Sequence, residues 1–136
     1  MIDLSNLKTG LKGSADLLID VQHTAPRVGS GRVPVLATPV MINVIEAAAL
    51  AAVEHLLPAG HQSLGIHLDV RHFAATPVDM RVRATAELIT IDGRTLSFRV
   101  QVRDEKEPIG DGFHKRVVVN VARFDQRLQK KLSTAF

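Results

Sequence analysis

Cysteine, tryptophan and tyrosine are absent from this 136-residue sequence, and its only aromatic residues are five phenylalanines. Without cysteine, the chain can form no disulfide, thiolate metal site or cysteine nucleophile. With so few rings, it has little with which to stack on nucleic-acid bases. The 17 lysines and arginines are interspersed with 14 acidic residues, which leaves a net charge of +3. Because this excess is spread along the chain, we expect no nucleic-acid partner.

Long uninterrupted apolar runs are also absent. The most apolar window, residues 40–57, is broken by Asn43, Glu46, Glu54 and His55, and charged side chains are costly within a bilayer. The first eight residues carry an aspartate where a signal peptide would be basic. These features favour a soluble, cytoplasmic protein with no membrane partner.

The length and composition fit a single domain. Hydrophobic residues make up 46% and charged residues 23% of the chain, as is typical of a globular domain with one core. We therefore expect one domain over residues 1–136, with its core at about 10–123 and a short C-terminal helix at 125–134.

Hydrophobic periodicity predicts one long helix and five strands. Thr38 as the N-cap and Pro39 at the first helical position mark the start of a helix that runs to about Leu57 and is apolar nearly all round. Period-two alternation indicates a first strand at 15–21, before a loop at 24–34 that is long enough to form a lid. The four later strands have predicted inward faces at Leu64, Ile66, Leu68 and Val70; at Val82, Ala84, Ala86 and Leu88; at Leu96, Phe98, Val100 and Val102; and at Phe113, Lys115, Val117 and Val119.

This order of elements predicts an α+β hot dog fold. The later strands are joined by short turns, such as the hairpin signal Asp92-Gly93, which favour an antiparallel meander. A five-stranded sheet curled around one buried helix accommodates every segment. Because one sheet cannot enclose a helix on all sides, we expect a homodimer with strands paired edge to edge.

Three polar residues stand out within these apolar elements. Glu46 interrupts the helix, and it belongs either to a narrow solvated stripe with Asn43 and Glu54 or to a cleft that supplies the carboxylate with a partner. His72 continues an inward face, as either a satisfied core histidine or a functional base. Thr38 caps the helix, although a helix N-terminus also suits a developing oxyanion. The histidines have no trustworthy ligand spacing, so no metal site is expected.

Three stretches of the chain resemble one family within the hot dog superfamily. They are residues 35–49 (VLATPVMINVIEAAA), 63–72 (SLGIHLDVRH) and 112–119 (GFHKRVVV). They look like the fluoroacetyl-CoA thioesterase-like group, and the resemblance covers roughly residues 10–123. In that group a threonine, a glutamate eight residues later and a histidine twenty-six residues after the glutamate form the catalytic set. The resemblance therefore implies that Thr38, Glu46 and His72 are catalytic.

The resemblance also implies a substrate site and a substrate class. Gly65 and Arg116 match the positions that accommodate the acyl group in the family, although Arg116 could equally be a surface arginine. The fluoroacetyl-specific enzyme has aromatic lid residues before the helix, whereas residues 27–36 contain none. We therefore expect an acyl-CoA thioesterase with a different acyl preference and no cofactor. The candidates for holding the CoA phosphates are Arg27, Arg32, Arg71 and Arg116.

Two catalytic routes and two other functions remain open at this level. His72, oriented by Glu46, can activate the Thr38 hydroxyl for attack on the thioester. Alternatively, Glu46 or His72 activates water and Thr38 only holds the substrate. A protein that binds acyl-CoA or another small ligand without catalysis is the alternative function, since a fold does not fix an activity. A dehydratase or hydratase fits less well because it would leave Thr38 idle.

Overall fold

A computed structural model of the protein describes residues 2–133. The strands are β1 (Lys12–Leu18), β2 (His61–His72), β3 (Arg81–Asp92), β4 (Thr95–Asp104) and β5 (Pro108–Asn120), and the helices are α1 (Ala25–Val28), α2 (Thr38–Val53) and α3 (Val121–Leu132). Short 3₁₀ turns span Val21–His23 and Glu54–Leu56. The helix predicted at 125–134 begins four residues earlier than expected, and its predicted end at residue 134 lies outside the described residues.

The sheet is antiparallel throughout and has the strand order β1-β3-β4-β5-β2. This confirms the predicted five-stranded sheet and long helix of the hot dog fold. The prediction of a four-stranded meander is wrong for β2, which pairs with β5 rather than with β3. The eight residues 73–80 are too many for a tight hairpin, so the chain crosses the end of the sheet and β3 pairs with β1. β2 is consequently an edge strand.

Helix α2 packs lengthwise against the sheet. It buries one side, formed by Val40, Met41, Val44, Ile45, Ala48, Ala49, Ala52 and Val53. A Cβ atom on Gly13 of β1 would collide with the helix backbone at Ala48 and Ala52, so glycine permits this close approach. By length and composition alone Thr38–Leu56 could cross a membrane, a test that a core helix also passes.

The other side of α2 remains uncovered within one chain. Pro39, Asn43, Ala47 and Ala51 are exposed at intervals of four residues, which places them along one stripe of the helix. The predicted burial on nearly all sides is therefore wrong for a single chain. A single sheet of five strands covers only the face of the helix that points toward it.

The last strand buries the face opposite to the predicted one. His114, Arg116 and Val118 are buried, whereas Phe113 and Lys115 are exposed. Alternation misled the prediction because Val117, Val118 and Val119 are apolar on both faces of the strand. The register with β4 fixes the true face, since the buried Phe98 lies directly opposite His114.

Strand β2 contains a bulge that reverses its alternation. The pairing with β5 shifts between Gly65 and His67, and an extra residue in one strand exchanges its inward and outward positions. Leu64 and Ile66, predicted to face inward, are 39% and 54% exposed. Ser63 is buried instead, and a Cβ atom on Gly65 would point at Glu46. The bulge thus brings the small residues of β2 to face the helix.

Candidate active site

Thr38 begins helix α2 but does not cap it. Ala37 occupies the N-cap position, and no side chain forms a capping hydrogen bond there. The Thr38 hydroxyl instead lies 2.8 Å from Nδ1 of His72. The predicted N-cap is therefore wrong. His72, the last residue of β2, lies beside the first turn of the helix, and the Thr38 hydroxyl forms its hydrogen bond with this ring instead of with the helix backbone.

The Thr38–His72 pair opens into a cavity of about 380 Å³. The loop before α2 forms one wall of this cavity through residues 30–36, and residues 73–75 form the other. Backbone hydrogen bonds from Ala25 to Val35 (3.0 Å) and from Leu36 to Thr76 (2.9 Å) hold the base of the loop. The hydroxyl thus faces a shaped, accessible space beside a helix N-terminus.

His72 is held in the form that can accept a proton. Burial of its ring lowers the pKa of His72 below the ordinary 6.5, and the nearby backbone of Ala74 only partly opposes that shift. The imidazole is therefore neutral at pH 7. With an unprotonated Nδ1, it accepts the hydrogen bond that the Thr38 hydroxyl donates.

Glu46 lies elsewhere within the same chain. Eight residues along α2 correspond to a rise of about 12 Å, which is too far for Glu46 to contact the Thr38–His72 pair. Its Oε2 instead accepts a hydrogen bond from Arg116 NH1 at 3.0 Å and lies 4.0 Å from His114 Nε2. The Glu46 side chain is 35% exposed, so its carboxylate faces both this cluster and the surface.

Arg116 is the centre of a buried polar network. Its side chain is 5% exposed, and its Nε donates to Ser63 Oγ at 2.8 Å while NH2 donates to the Ser63 carbonyl at 3.1 Å. The Ser63 hydroxyl and backbone N–H both donate to the Glu54 carboxylate, at 2.6 and 2.8 Å. Arg116 is therefore clamped between two carboxylates, one contacted directly and the other through Ser63. It is not a surface arginine.

His114, which is buried on the helix-facing side of β5, completes the network. Its Nδ1 lies 2.9 Å from the His67 carbonyl, which can only accept, so Nδ1 carries the proton. Nε2 is then free to accept a hydrogen bond from Arg116 NH1 at 3.2 Å. Burial, reinforced by the Arg116 charge, lowers the pKa of His114 and keeps the ring neutral. The ring also stacks on Phe98, with 6.2 Å between centroids.

Gly65 leaves the space that the Glu46 carboxylate occupies. A Cβ atom at this position would overlap Glu46 Oε2 and approach His114 Cε1 at 3.2 Å. The structure therefore brings together Glu46, Gly65 and Arg116 in one cluster and Thr38 with His72 in another. Sequence reasoning missed the network of Ser63, Glu54 and His114. Alternation assigned Ser63 and His114 to the outward faces of their strands, and Glu54 was considered only as part of a solvated stripe on the helix. Among residues 2–133, no group of three acidic or histidine side chains could hold a metal.

A curled antiparallel sheet on a long helix defines a hot dog protein, and the fold is shared with solved structures. One is a hot-dog-like protein from Thermanaerovibrio acidaminovorans, 18% identical, with a TM-score of 0.87 over 96% of this chain and 97% of that one. Another is a phenylalanine-to-alanine mutant of the fluoroacetyl-CoA-specific thioesterase FlK, in complex with fluoroacetate and CoA. It is 32% identical, with a TM-score of 0.82 over 87% of this chain and 99% of that one.

The sequence comparisons identify the family. Residues 19–122 match the family described as fluoroacetyl-CoA-specific thioesterase. The fluoroacetyl-CoA thioesterase of Streptantibioticus cattleyicolor is 39% identical over 97 residues, which are 71% of this chain and 70% of that protein. The chain therefore belongs to the fluoroacetyl-CoA-specific thioesterase family. This confirms the resemblance inferred from the sequence and the prediction that the protein is a thioester hydrolase.

Proposed function

We propose that this protein hydrolyses acyl-CoA thioesters, with the Thr38 hydroxyl as nucleophile and His72 as its general base. The observation that carries the proposal is the 2.8 Å hydrogen bond between Thr38 Oγ1 and His72 Nδ1 at the mouth of a cavity. A threonine hydroxyl is a weak nucleophile unless a base withdraws its proton. A neutral histidine at hydrogen-bond distance satisfies that requirement.

The acylation step follows from these two side chains. Thr38 Oγ1 attacks the thioester carbonyl carbon as its proton passes to His72 Nδ1, which gives a tetrahedral oxyanion. Pro39 has no N–H and Val40 N–H donates to the Ala37 carbonyl, so the Thr38 N–H is the amide of this turn that is left to stabilise the oxyanion. Collapse of the intermediate expels the CoA thiolate, which takes the proton from His72. The acyl group remains as an ester on Thr38.

Glu46 completes the site across a dimer interface. Leu64, Ile66 and Leu68 are between 38% and 54% exposed on the edge strand β2, and a long apolar edge favours pairing with a second copy. A two-fold axis makes the paired edges antiparallel, so the His72 end of one strand lies toward the Gly65 end of the other. In this arrangement Glu46 of the partner subunit faces the acylated Thr38. Its carboxylate then takes a proton from the water that attacks the ester carbonyl, and this proton passes to the departing Thr38 oxygen. The carboxylic acid is released, and the Thr38 hydroxyl and the Glu46 carboxylate are regenerated.

The acyl group is expected to differ from fluoroacetyl. The wall of the Thr38–His72 cavity contributed by residues 30–36 contains glycine, valine and arginine but no aromatic ring. The fluoroacetyl-specific enzyme has aromatic lid residues in this loop, whereas here the ring that lines the cavity, Phe73, comes from the opposite wall. We therefore propose that the protein accepts acyl groups other than fluoroacetyl. The homodimer proposed above and a cytoplasmic location, expected from the sequence, are part of the same proposal.

The proposed function is tested by thiol release from acyl-CoA esters of increasing chain length, including fluoroacetyl-CoA. The protein has no cysteine, so a thiol-reactive dye reports only the CoA released. We expect turnover that is lost in His72→Gln. Binding of the esters without turnover in the unaltered protein would favour a ligand-binding protein. Conversion of an enoyl-CoA without thiol release would favour a hydratase.

The activity is expected to depend on one proton at acidic pH. His72 acts only when neutral, and its pKa lies below 6.5 because its ring is buried. Consequently kcat/KM should fall toward acidic pH with a midpoint below pH 6.5 and with a limiting slope of about tenfold per pH unit. Circular dichroism at each pH separates this effect from unfolding. A loss of kcat/KM with its midpoint above pH 6.5 would contradict the assignment of His72, with its lowered pKa, as the base.

A further inference from the structure

A buried hydrogen bond joins Thr76, in the segment 73–80 that crosses the end of the sheet, to Asp104 at the end of β4. The Thr76 hydroxyl donates to Asp104 Oδ2 at 2.9 Å. Thr76 is fully buried and Asp104 is 4% exposed. Neither side chain lines the cavity beside Thr38 and His72, and the proposed reaction uses neither of them.

The Asp104 carboxylate is held by three hydrogen bonds. Besides the bond from Thr76, its Oδ1 accepts from the backbone N–H groups of Lys106 and Glu107, at 2.8 and 3.0 Å. Burial raises the pKa of Asp104, but the hydrogen bonds that it accepts, aided by the Arg103 charge, outweigh this effect and lower the pKa. The carboxylate is therefore ionised at pH 7. Because a buried charge that loses a hydrogen-bond partner is costly, Asp104 holds Thr76 firmly in place.

The Thr76 backbone is tied in turn to the segment that precedes helix α2. Its carbonyl accepts a hydrogen bond from the Leu36 N–H at 2.9 Å, and Leu36 is buried two residues before Thr38. Pro77 follows Thr76 and restricts its backbone to extended conformations. The hydroxyl of Thr76 therefore binds β4, while its carbonyl binds the segment that carries the Thr38 hydroxyl.

The same short segment begins at His72. The backbone of Ala74, two residues before Thr76, interacts with the His72 ring. Phe73 N–H donates to the Ile109 carbonyl of β5 at 2.9 Å, so the first end of the segment is anchored to the sheet. Its second end is anchored through the Thr76 hydroxyl. Loss of this second anchor would let residues 74–76, and the chain that they bind before α2, move relative to His72.

We propose that Thr76 and Asp104 are positioning residues that, through Leu36, hold the Thr38 hydroxyl at hydrogen-bond distance from His72. This inference rests on the proposed function, because the pair that they position is the proposed nucleophile and base. The 2.8 Å bond of that pair joins residues that are 34 positions apart in the chain. A displacement of about 1 Å between reacting groups can lower a rate by about 100-fold. Side chains that touch no substrate can therefore control kcat.

Thr76→Val removes the buried hydrogen bond and keeps the shape of the side chain. We expect kcat for acetyl-CoA to fall about 10- to 100-fold, with the dissociation constant of CoA unchanged in calorimetric titrations. Thr76→Ser keeps the hydroxyl and should stay within about threefold of the unaltered kcat. Val100→Ala, a buried change on β4 away from the cavity walls, controls for lost stability and should leave kcat unchanged. Equal kcat in Thr76→Val and the unaltered protein would overturn the inference.

A second pair of variants avoids the buried charge that Thr76→Val leaves without a partner. In Thr76→Val/Asp104→Asn the amide oxygen still accepts from Lys106 and Glu107, and the link to residue 76 is lost. We expect the same loss of kcat as in Thr76→Val. In Asp104→Asn alone the amide N–H donates to the Thr76 hydroxyl, so the link survives and kcat should stay within about threefold. Equal losses in the single and double variants would contradict a role for this link.

The nitrogen-15 resonance of His72 Nδ1 tests the inference without turnover. In Thr76→Val the resonance should move toward its position in Thr38→Ala, which lacks the hydroxyl that donates to Nδ1. This movement in a protein that releases no thiol would support the positioning role and refute the thioesterase. An unmoved resonance would refute the positioning role, and hydrolysis of acetyl-CoA by the unaltered protein would still leave the thioesterase standing.

Discussion

Replacing Thr38 with alanine is expected to lower kcat/KM for an acyl-CoA ester by at least about 10³-fold, because the change removes the nucleophile itself. The hydroxyl forms no helix cap, so its loss should leave the folded structure intact. His72 loses only the 2.8 Å partner at Nδ1, which water in the open cavity can replace. Thiol release and thermal unfolding of the same preparations measure the two effects separately.

Serine at position 38 provides the matched control. Thr38→Ser keeps the hydroxyl within reach of His72 and removes only a methyl group, so we expect activity within about tenfold of the unaltered protein. If Glu46 or His72 instead activates water, the Thr38 hydroxyl only holds the substrate. Its removal in Thr38→Ala would then cost little more than the free energy of one hydrogen bond, and both variants would stay active. Substantial activity in Thr38→Ala would therefore exclude the nucleophilic role.

Glu46→Gln is expected to lower steady-state turnover by 10² to 10⁴-fold, a range typical of the loss of a general base. The amide keeps the size of the side chain and can still accept the hydrogen bond from Arg116, so the polar network should persist. Acylation of Thr38 does not require Glu46 in our proposal. Rapid mixing should therefore show a burst of about one thiol per chain before the slow phase. Slow turnover without a burst would place Glu46 in the acylation step.

Mixed dimers test whether Glu46 acts on the neighbouring chain. Thr38→Ala and Glu46→Gln chains carrying different affinity tags are co-expressed, and the heterodimer is isolated. If each site takes Thr38 from one subunit and Glu46 from the other, one site carries both changes and the other carries none. The heterodimer should then have about half the activity of the unaltered dimer. An inactive heterodimer would place both residues of a site in the same chain.

The sequence was sufficient to predict the elements that alternate cleanly. Strands β3 and β4 bury the predicted residues from Val82 to Val102, because each has an apolar and a polar face. The pairing of β2 with β5 was not predictable, since local pattern says nothing about which distant strands pair. A resemblance to family sequences, rather than periodicity, singled out Thr38 and His72 together.

The polar network was hidden from the sequence for a physical reason. A bulge at Gly65 and an apolar run at Val117–Val119 each remove the signal that distinguishes the two faces of a strand. The inward direction of Ser63 and Arg116 follows only once β2 and β5 are in register. Likewise, the distance between Glu46 and His72 depends on where β2 ends against α2, which no spacing in the chain encodes.

The most direct test of the Thr38 mechanism is the mass of the protein after a single turnover. Glu46→Gln protein is mixed with acetyl-CoA, quenched in acid during the slow phase and digested for peptide mass spectrometry. The mechanism predicts one added acetyl group per chain on the peptide that contains Thr38, and none when Thr38 is also alanine. Release of thiol while Thr38 stays unmodified would contradict it and assign the chemistry to an activated water molecule.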